Sequence, residues 1–412
     1  MRRGCADEYL DQKEGRSVGE DLKRRIGLGL LTAYGVGVMV GAGIYVLVGA
    51  VADQAGIWSP LAFMVAGAIA APTALSYSEF STRIPEAAGE AAYVARGFDI
   101  PLIALIVGLA IVMAGTVSAA AVLRGGVGYL TSVLDVPGAW AIIAVGAALT
   151  LVAILGVLES MALAAVFTVI ELAGLGLVVW AGFGAEASSD FTIPDVPVWS
   201  GIGAAAVLAF FAFIGFEDIV NMAEEVENPT RTMPRAILLS LLITSVIYAL
   251  VSFAAIRAVP LEELAASERP LVLVWEAHSA RGGSYFALIA VVAALNGVLA
   301  QIVMASRVLF GLGKRYGILR PFHHAHPRFG TPVLATALLG GIVIFAAVNL
   351  PIASLAEMTS TLLLAVFVLV NLALIAVKRA EPDAPFRVPT YVPVLGVILA
   401  GAALIVSLWG MG

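Results

Sequence analysis

The sequence predicts an all-α integral membrane protein of about eleven transmembrane helices, arranged as two inverted five-span halves, with spans one and six broken. Three observations predict it. Of 412 residues, 61% are hydrophobic and 13% charged, against roughly 25% charged in a soluble domain. The apolar residues fall into about eleven runs, each long enough, at about 20 residues, to cross about 30 Å of hydrocarbon. Glycines interrupt two of these runs, at Val40-Gly41-Ala42-Gly43 and at Ile214-Gly215-Phe216. Backbone uncovered at that depth is tolerated only where it lines a cavity or is buried in protein.

Residues 1–25 form a polar N-terminal tail with seven basic residues. Its charges run too long, before too long an apolar stretch, for a signal peptide, so the first span is expected to stay in the mature protein. Spans one to five are read near 26–50, 57–80, 100–123, 139–158 and 161–184. Spans six to ten follow near 200–223, 235–258, 284–313, 332–350 and 353–377, and the eleventh near 391–410. The breaks lie five spans apart, and an odd offset makes the two segments cross in opposite directions. This predicts a first repeat over 26–184 and a second over 200–377, with 391–410 outside both.

Orientation is read from Lys and Arg, which cytoplasmic loops retain. A cytoplasmic N-terminus places eighteen of the 23 basic residues on that side, with Arg124, Arg257, Arg269 and Arg281 opposite and Arg307 inside a span. The expected location is the cytoplasmic membrane, with the lipid bilayer as surroundings and no nucleic-acid partner. The stretch 260–283 is expected to form a short amphipathic helix over the outer entrance. The one cysteine, Cys5, excludes a disulfide framework.

The breaks have complementary chemistry. Gly41 and Gly43 free backbone conformations, and the half-helix after Gly43 presents unpaired N–H groups and a positive dipole end, suited to a carboxylate. Before Gly215 a half-helix ends in carbonyls near Phe211, Ala212, Phe213 and Ile214, which accept hydrogen bonds from an ammonium group. Val40, Gly41, Ala42, Gly43 and the stretch 211–215 therefore read as the two poles of a zwitterion site. Phe211 is the first choice among Phe210, Phe211, Phe213 and Phe216 to wall a side-chain pocket. The competing reading of the glycines is close helix packing.

Two acids, Glu171 and Glu217, lie deep in apolar sequence. Ionisable groups at that depth usually face a cavity or a partner and mark an ion route, so both are candidates to couple a proton. For Glu217 the alternative is a helix-terminal acid bonded to nearby amides. Asn296 and Gln301 of span eight are candidates to line the pathway. His-Glu metal motifs, nucleophile elbows and phosphate loops are missing from the spans, which argues against an enzyme. Isolated acids argue against the repeated polar rings of a channel.

Six ordered blocks carry a resemblance: Gly41-Ala42-Gly43-Ile44, residues 83–93 (Arg83 to Tyr93), residues 210–217, residues 224–236, Ala305-Ser306-Arg307 with Gly330-Thr331-Pro332, and Pro385-Phe386-Arg387-Val388-Pro389. On these the chain resembles the amino acid-polyamine-organocation (APC) superfamily, in particular its amino acid permeases. The resemblance implies a LeuT-type 5+5 inverted repeat, alternating access and an amino acid substrate held by its backbone at the breaks. It also implies no cofactor, a proton or cation gradient as energy source, and proton-coupled uptake with amino acid exchange as the alternative. Many relatives resemble "leucine-lysine-leucine" where this chain has Ile170-Glu171-Leu172. The reversed charge leaves three readings of Glu171: a protonatable carboxylate, a cation ligand, or an acid paired with Arg307. Arg83 and Glu90 are expected to gate the inner side, by pairing with Arg231, Arg235 or the acids 224, 225 and 227.

Overall fold

A computed structural model of the chain describes residues 26–40, 43–84, 89–131, 133–155, 161–189, 191–192, 196–220, 226–279, 283–326 and 329–410. The tail 1–25, the break residues Gly41 and Ala42, and the loop acids Glu224 and Glu225 lie outside these residues.

Backbone in hydrocarbon must satisfy its own hydrogen bonds, and the described residues form helices, with one isolated bridge between Ile26 and Val226. Helices α1 (Leu28–Val40) and α2 (Gly43–Ala55) flank the first break. A 3-10 turn, Gly56–Trp58, leads into α3 (Ser59–Arg83), and the short α4 (Gly89–Phe98) precedes α5 (Pro101–Thr131), α6 (Gly138–Leu155) and α7 (Met161–Gly184). The second half starts with α8 (Trp199–Phe210), which tightens into a 3-10 turn over Phe211–Phe213. Then come α9 (Pro229–Ala258), the short α10 (Leu261–Ala266) and α11 (Pro270–His278), α12 (Gly283–Arg315), α13 (Val333–Asn349), α14 (Ile352–Ala380) and α15 (Tyr391–Gly410).

Each of the eleven apolar runs overlaps a described helix. By length and composition, nine described helical runs suffice to cross a membrane. The difference from eleven has two sources: Gly43–Arg83 is one continuous run, and Leu28–Val40 and Val333–Asn349 are apolar but short. At 1.5 Å per residue α13 spans about 26 Å. The stretch 260–283 carries two short helices, α10 and α11, which pack on α2 and α7.

The helices are apolar outside and partly polar inside. On α9, Leu239, Leu242, Ile243, Val246 and Leu250 are exposed at helical spacing, while Ser240, Thr244, Tyr248 and Ser252 are buried. A helix in water shows the opposite pattern; this one is stable against lipid. Two arginines that the sequence places on the outer side cap helix ends, where carbonyls lack intrahelical partners. Arg257 donates to Gly182 O and Ala185 O at the end of α7, at 2.7 and 2.8 Å. Arg124 donates to Ala347 O of α13 at 2.9 Å.

Candidate functional site

Spans one and six meet at Gly43 and Gly215. After Phe213 the backbone turns extended at Ile214 (φ −60°, ψ 132°), and Gly215 takes φ +124°. Side chains rarely adopt that φ, which makes glycine the fitting residue. A Cβ at Gly215 would also lie 2.7 Å from Val38 Cγ1 on α1. At the other break, a Cβ at Gly43 would lie 2.9 Å from Ala212 Cα, so α2 starts directly against the tightened turn of span six. Tyr248 of α9 ties both: its hydroxyl lies 2.6 Å from Met39 O and 2.7 Å from Ala212 O. A hydroxyl has one hydrogen to donate, so these two carbonyls share it.

Beside this junction lies a cavity of about 80 Å³. At roughly 10–15 Å³ for each water-sized group, it admits a solute of several heavy atoms. Helix α1 contributes Tyr34, Gly37, Val38 and Met39, the breaks contribute Gly43, Phe211 and Ile214, and α5 contributes Ser118 and Val122. Thr168 of α7 and Asn296, Gly297, Ala300 and Gln301 of α12 complete the wall. Gly43, the first described residue of α2, brings that end of the helix to the wall. Phe211 and Ile214 of the turn share this wall with the hydroxyls of Ser118 and Thr168 and the amides of Asn296 and Gln301.

The residues singled out in sequence divide accordingly. Gly43, Phe211, Ile214, Asn296 and Gln301 reach the wall, and Gly41 and Ala42 lie outside the described residues. Val40 is fully buried at the end of α1, Ala212 packs on Gly43, and Gly215 packs on Val38. Phe213 turns its ring toward Tyr248, 5.2 Å between centroids, while Phe210 and Phe216 join Phe367 in an aromatic cluster. Of the four phenylalanines, Phe211 is the one on the wall.

Glu171 is fully buried one turn along α7 from Thr168. The side chain that reaches it is Asn296, whose Nδ2 donates to Oε1 at 3.4 Å. Tyr45 donates to the Glu171 carbonyl at 2.9 Å. Glu217 folds back on its own turn, and its Oε2 accepts the Gly215 N–H at 3.0 Å. Arg83 and Glu90 stand away from the wall. Arg83 pairs at 2.6 Å with Glu79 of its own helix, and Glu90 accepts from the Tyr77 hydroxyl at 3.2 Å. Burial raises the Glu90 carboxyl above its ordinary pKa, opposed by hydrogen bonds from its own backbone and from Tyr77.

Sequence reasoning missed Tyr34, Ser118, Thr168, Asp218 and Tyr248. Asp218 was within reach, as a second acid beside Glu217; it is buried, as Glu217 is. The role of Tyr248 has no signature in its apolar run.

Helices with apolar outer stripes, packed around a small cavity beside spans one and six, define a multi-span membrane transporter. The family model described as amino acid permease matches residues 26–412, and the chain belongs to that family. Similar proteins include the branched-chain amino acid permease BcaP of Bacillus subtilis, 28% identical over 369 residues, covering 83% of this chain and 78% of that protein. The vacuolar cationic amino acid transporter 4 of Arabidopsis thaliana is 29% identical over 350 residues, covering 78% and 58%. The methylthioribose transporter of Bacillus subtilis is 28% identical over 369 residues, covering 84% and 79%.

Proposed function

We propose that the protein moves amino acids across the cytoplasmic membrane by alternating access, as a proton-coupled secondary transporter. The observation that carries this reading is the meeting of Gly43 and the turn 211–214 at one small cavity. In this reading the N–H groups at the start of α2 take the substrate carboxylate, and the carbonyls of the span-six turn take its ammonium. Two of the relatives above are named for amino acids, one branched-chain and one cationic.

The halves 26–184 and 200–377 act as inverted LeuT-type repeats, and 391–410 stands outside them. The N-terminus is cytoplasmic, as the distribution of Lys and Arg supports. Glu171 and Glu217 carry the coupling proton, since both are buried acids close to the breaks. Arg83 and Glu90 act in inner gating. A proton or cation gradient supplies the energy, without a bound cofactor.

Counterflow and uptake in proteoliposomes test the reading. Unlabelled amino acid inside is expected to stimulate entry of labelled substrate, and an inward proton gradient to drive uptake into empty vesicles. Glu171→Gln is expected to remove the gradient-driven part. Steady current without exchange would refute a carrier. Uptake that needs internal substrate and ignores pH would replace proton coupling with exchange.

A further inference from the structure

Asn296 stands on the cavity wall, and the two ends of its amide have different surroundings. Nδ2 donates to Glu171 at 3.4 Å, which turns the acceptor Oδ1 away from that carboxylate. Glu171 is fully buried, and its Oε2 has no hydrogen-bond partner. Its titratable neighbours are Tyr45 of α2 and Tyr248 of α9. Both hydroxyls are already committed to backbone carbonyls, Tyr45 to that of Glu171 itself and Tyr248 to those of Met39 and Ala212. A second amide on the wall, that of Gln301, has its Oε1 buried without a hydrogen-bond partner, close to Gly115 of α5. Glu171 Oε2 and Gln301 Oε1 are thus buried acceptors close to the wall, and among the described lining residues there is no Lys or Arg. Buried acceptors of this kind are costly until a donor meets them.

We infer that Asn296 and Glu171 form a side-chain subsite selecting amino acids whose side chain ends in a protonated amine. Asn296 Oδ1 contacts the amine; Glu171 is a positioning residue that holds the amide acceptor-outward. This rests on the amino acid reading above and names its substrate class. A hydrogen bond to a charged group is worth roughly ten- to a hundredfold in affinity.

The test measures binding to purified full-length protein for two matched pairs, lysine against norleucine and ornithine against norvaline, which differ by the terminal ammonium. Wild type is expected to prefer the amine in each pair by about tenfold or more. Asn296→Leu is expected to bring the ratio near one. Glu171→Gln is expected to lower the ratio several-fold, and Asn296→Asp, which keeps an acceptor, to preserve it. Should Asn296→Leu fail to fold, the wild-type ratio and the other two variants decide. Equal affinity within the pairs, or a ratio unmoved by both Asn296→Leu and Glu171→Gln, overturns the subsite. Binding of branched or other neutral amino acids without any of these four overturns the subsite and leaves the amino acid reading standing. If none of the twenty common amino acids binds, that reading falls and the subsite with it.

Discussion

Glu79 offers the sharpest stability test, because its carboxylate holds three segments together away from the cavity. Its side chain is 0% exposed, and those of Lys378 and Arg83 are 3% and 6% exposed. Oε1 accepts from Arg83 Nε and Nη2 at 3.0 and 2.6 Å and from Lys378 Nζ at 3.0 Å. Oε2 accepts from Lys378 Nζ at 2.7 Å and from the Val388 N–H at 2.9 Å. Glu79→Gln preserves the shape, removes the charge and turns one acceptor into a donor facing other donors. Lys378 then keeps the one remaining side-chain oxygen and the Val388 carbonyl, at 2.6 Å, but loses the opposite charge.

Breaking a buried ion pair by removing one partner costs about 3–5 kcal/mol. Against a total stability of about 5–15 kcal/mol, that is a large share. Replacing both partners by apolar groups of similar volume is often neutral, so adding Lys378→Met is expected to restore most of the loss. Arg83 retains the carbonyls of Glu381 and Asp383, at 3.0 and 3.1 Å. The assay is equilibrium unfolding in mixed micelles titrated with dodecyl sulfate, comparing the two variants with wild type. Glu79→Gln within about 0.5 kcal/mol of wild type, the range of an ordinary surface change, would refute the reasoning. A double variant no more stable than Glu79→Gln would refute it too.

Three further outcomes are expected. Because burial raises the Glu90 pKa, its stability contribution is complete below the unfolded-state value of about 4.3 and is lost as pH rises through the folded-state value; Glu90→Gln should therefore match wild type in acid and exceed it in thermal stability as pH rises, and a widening deficit would contradict this. Gly215→Ala should cost about 1–3 kcal/mol for its φ alone, add the clash with Val38, and abolish transport in proteoliposomes, whereas Gly341→Ala, with open space around its Cβ position, should transport normally. Tyr248→Phe leaves the buried Met39 and Ala212 carbonyls short of a donor, a loss of about 1–3 kcal/mol to be read as a lowered thermal midpoint together with weaker substrate binding.

The acids show how far a chain read in order reaches. Glu171 and Glu217 stood out because a carboxylate in an apolar run is unusual. Glu79 and Asp218 carry the same charge but sit beside polar or acidic neighbours, in Ser78-Glu79 and Glu217-Asp218, where the contrast is weaker. For Arg83 the sequence suggested pairing with distant loop acids; the structure joins it to Glu79, four residues earlier on its own helix, at a spacing that places two side chains on one face.

Sequence alone determined the membrane class, the positions of the helices and the glycine break at 215, because hydropathy, helical rise and backbone freedom are properties of residues near each other in the chain. Tertiary structure decided which of those residues share a cavity. Asn296 meets Glu171 across 125 residues, Tyr248 meets Met39 across 209, and Lys378 meets Glu79 across 299. Such contacts follow from how the helices pack, and local hydropathy carries no information about which distant hydroxyl, amide or ammonium a buried carbonyl or carboxylate will meet.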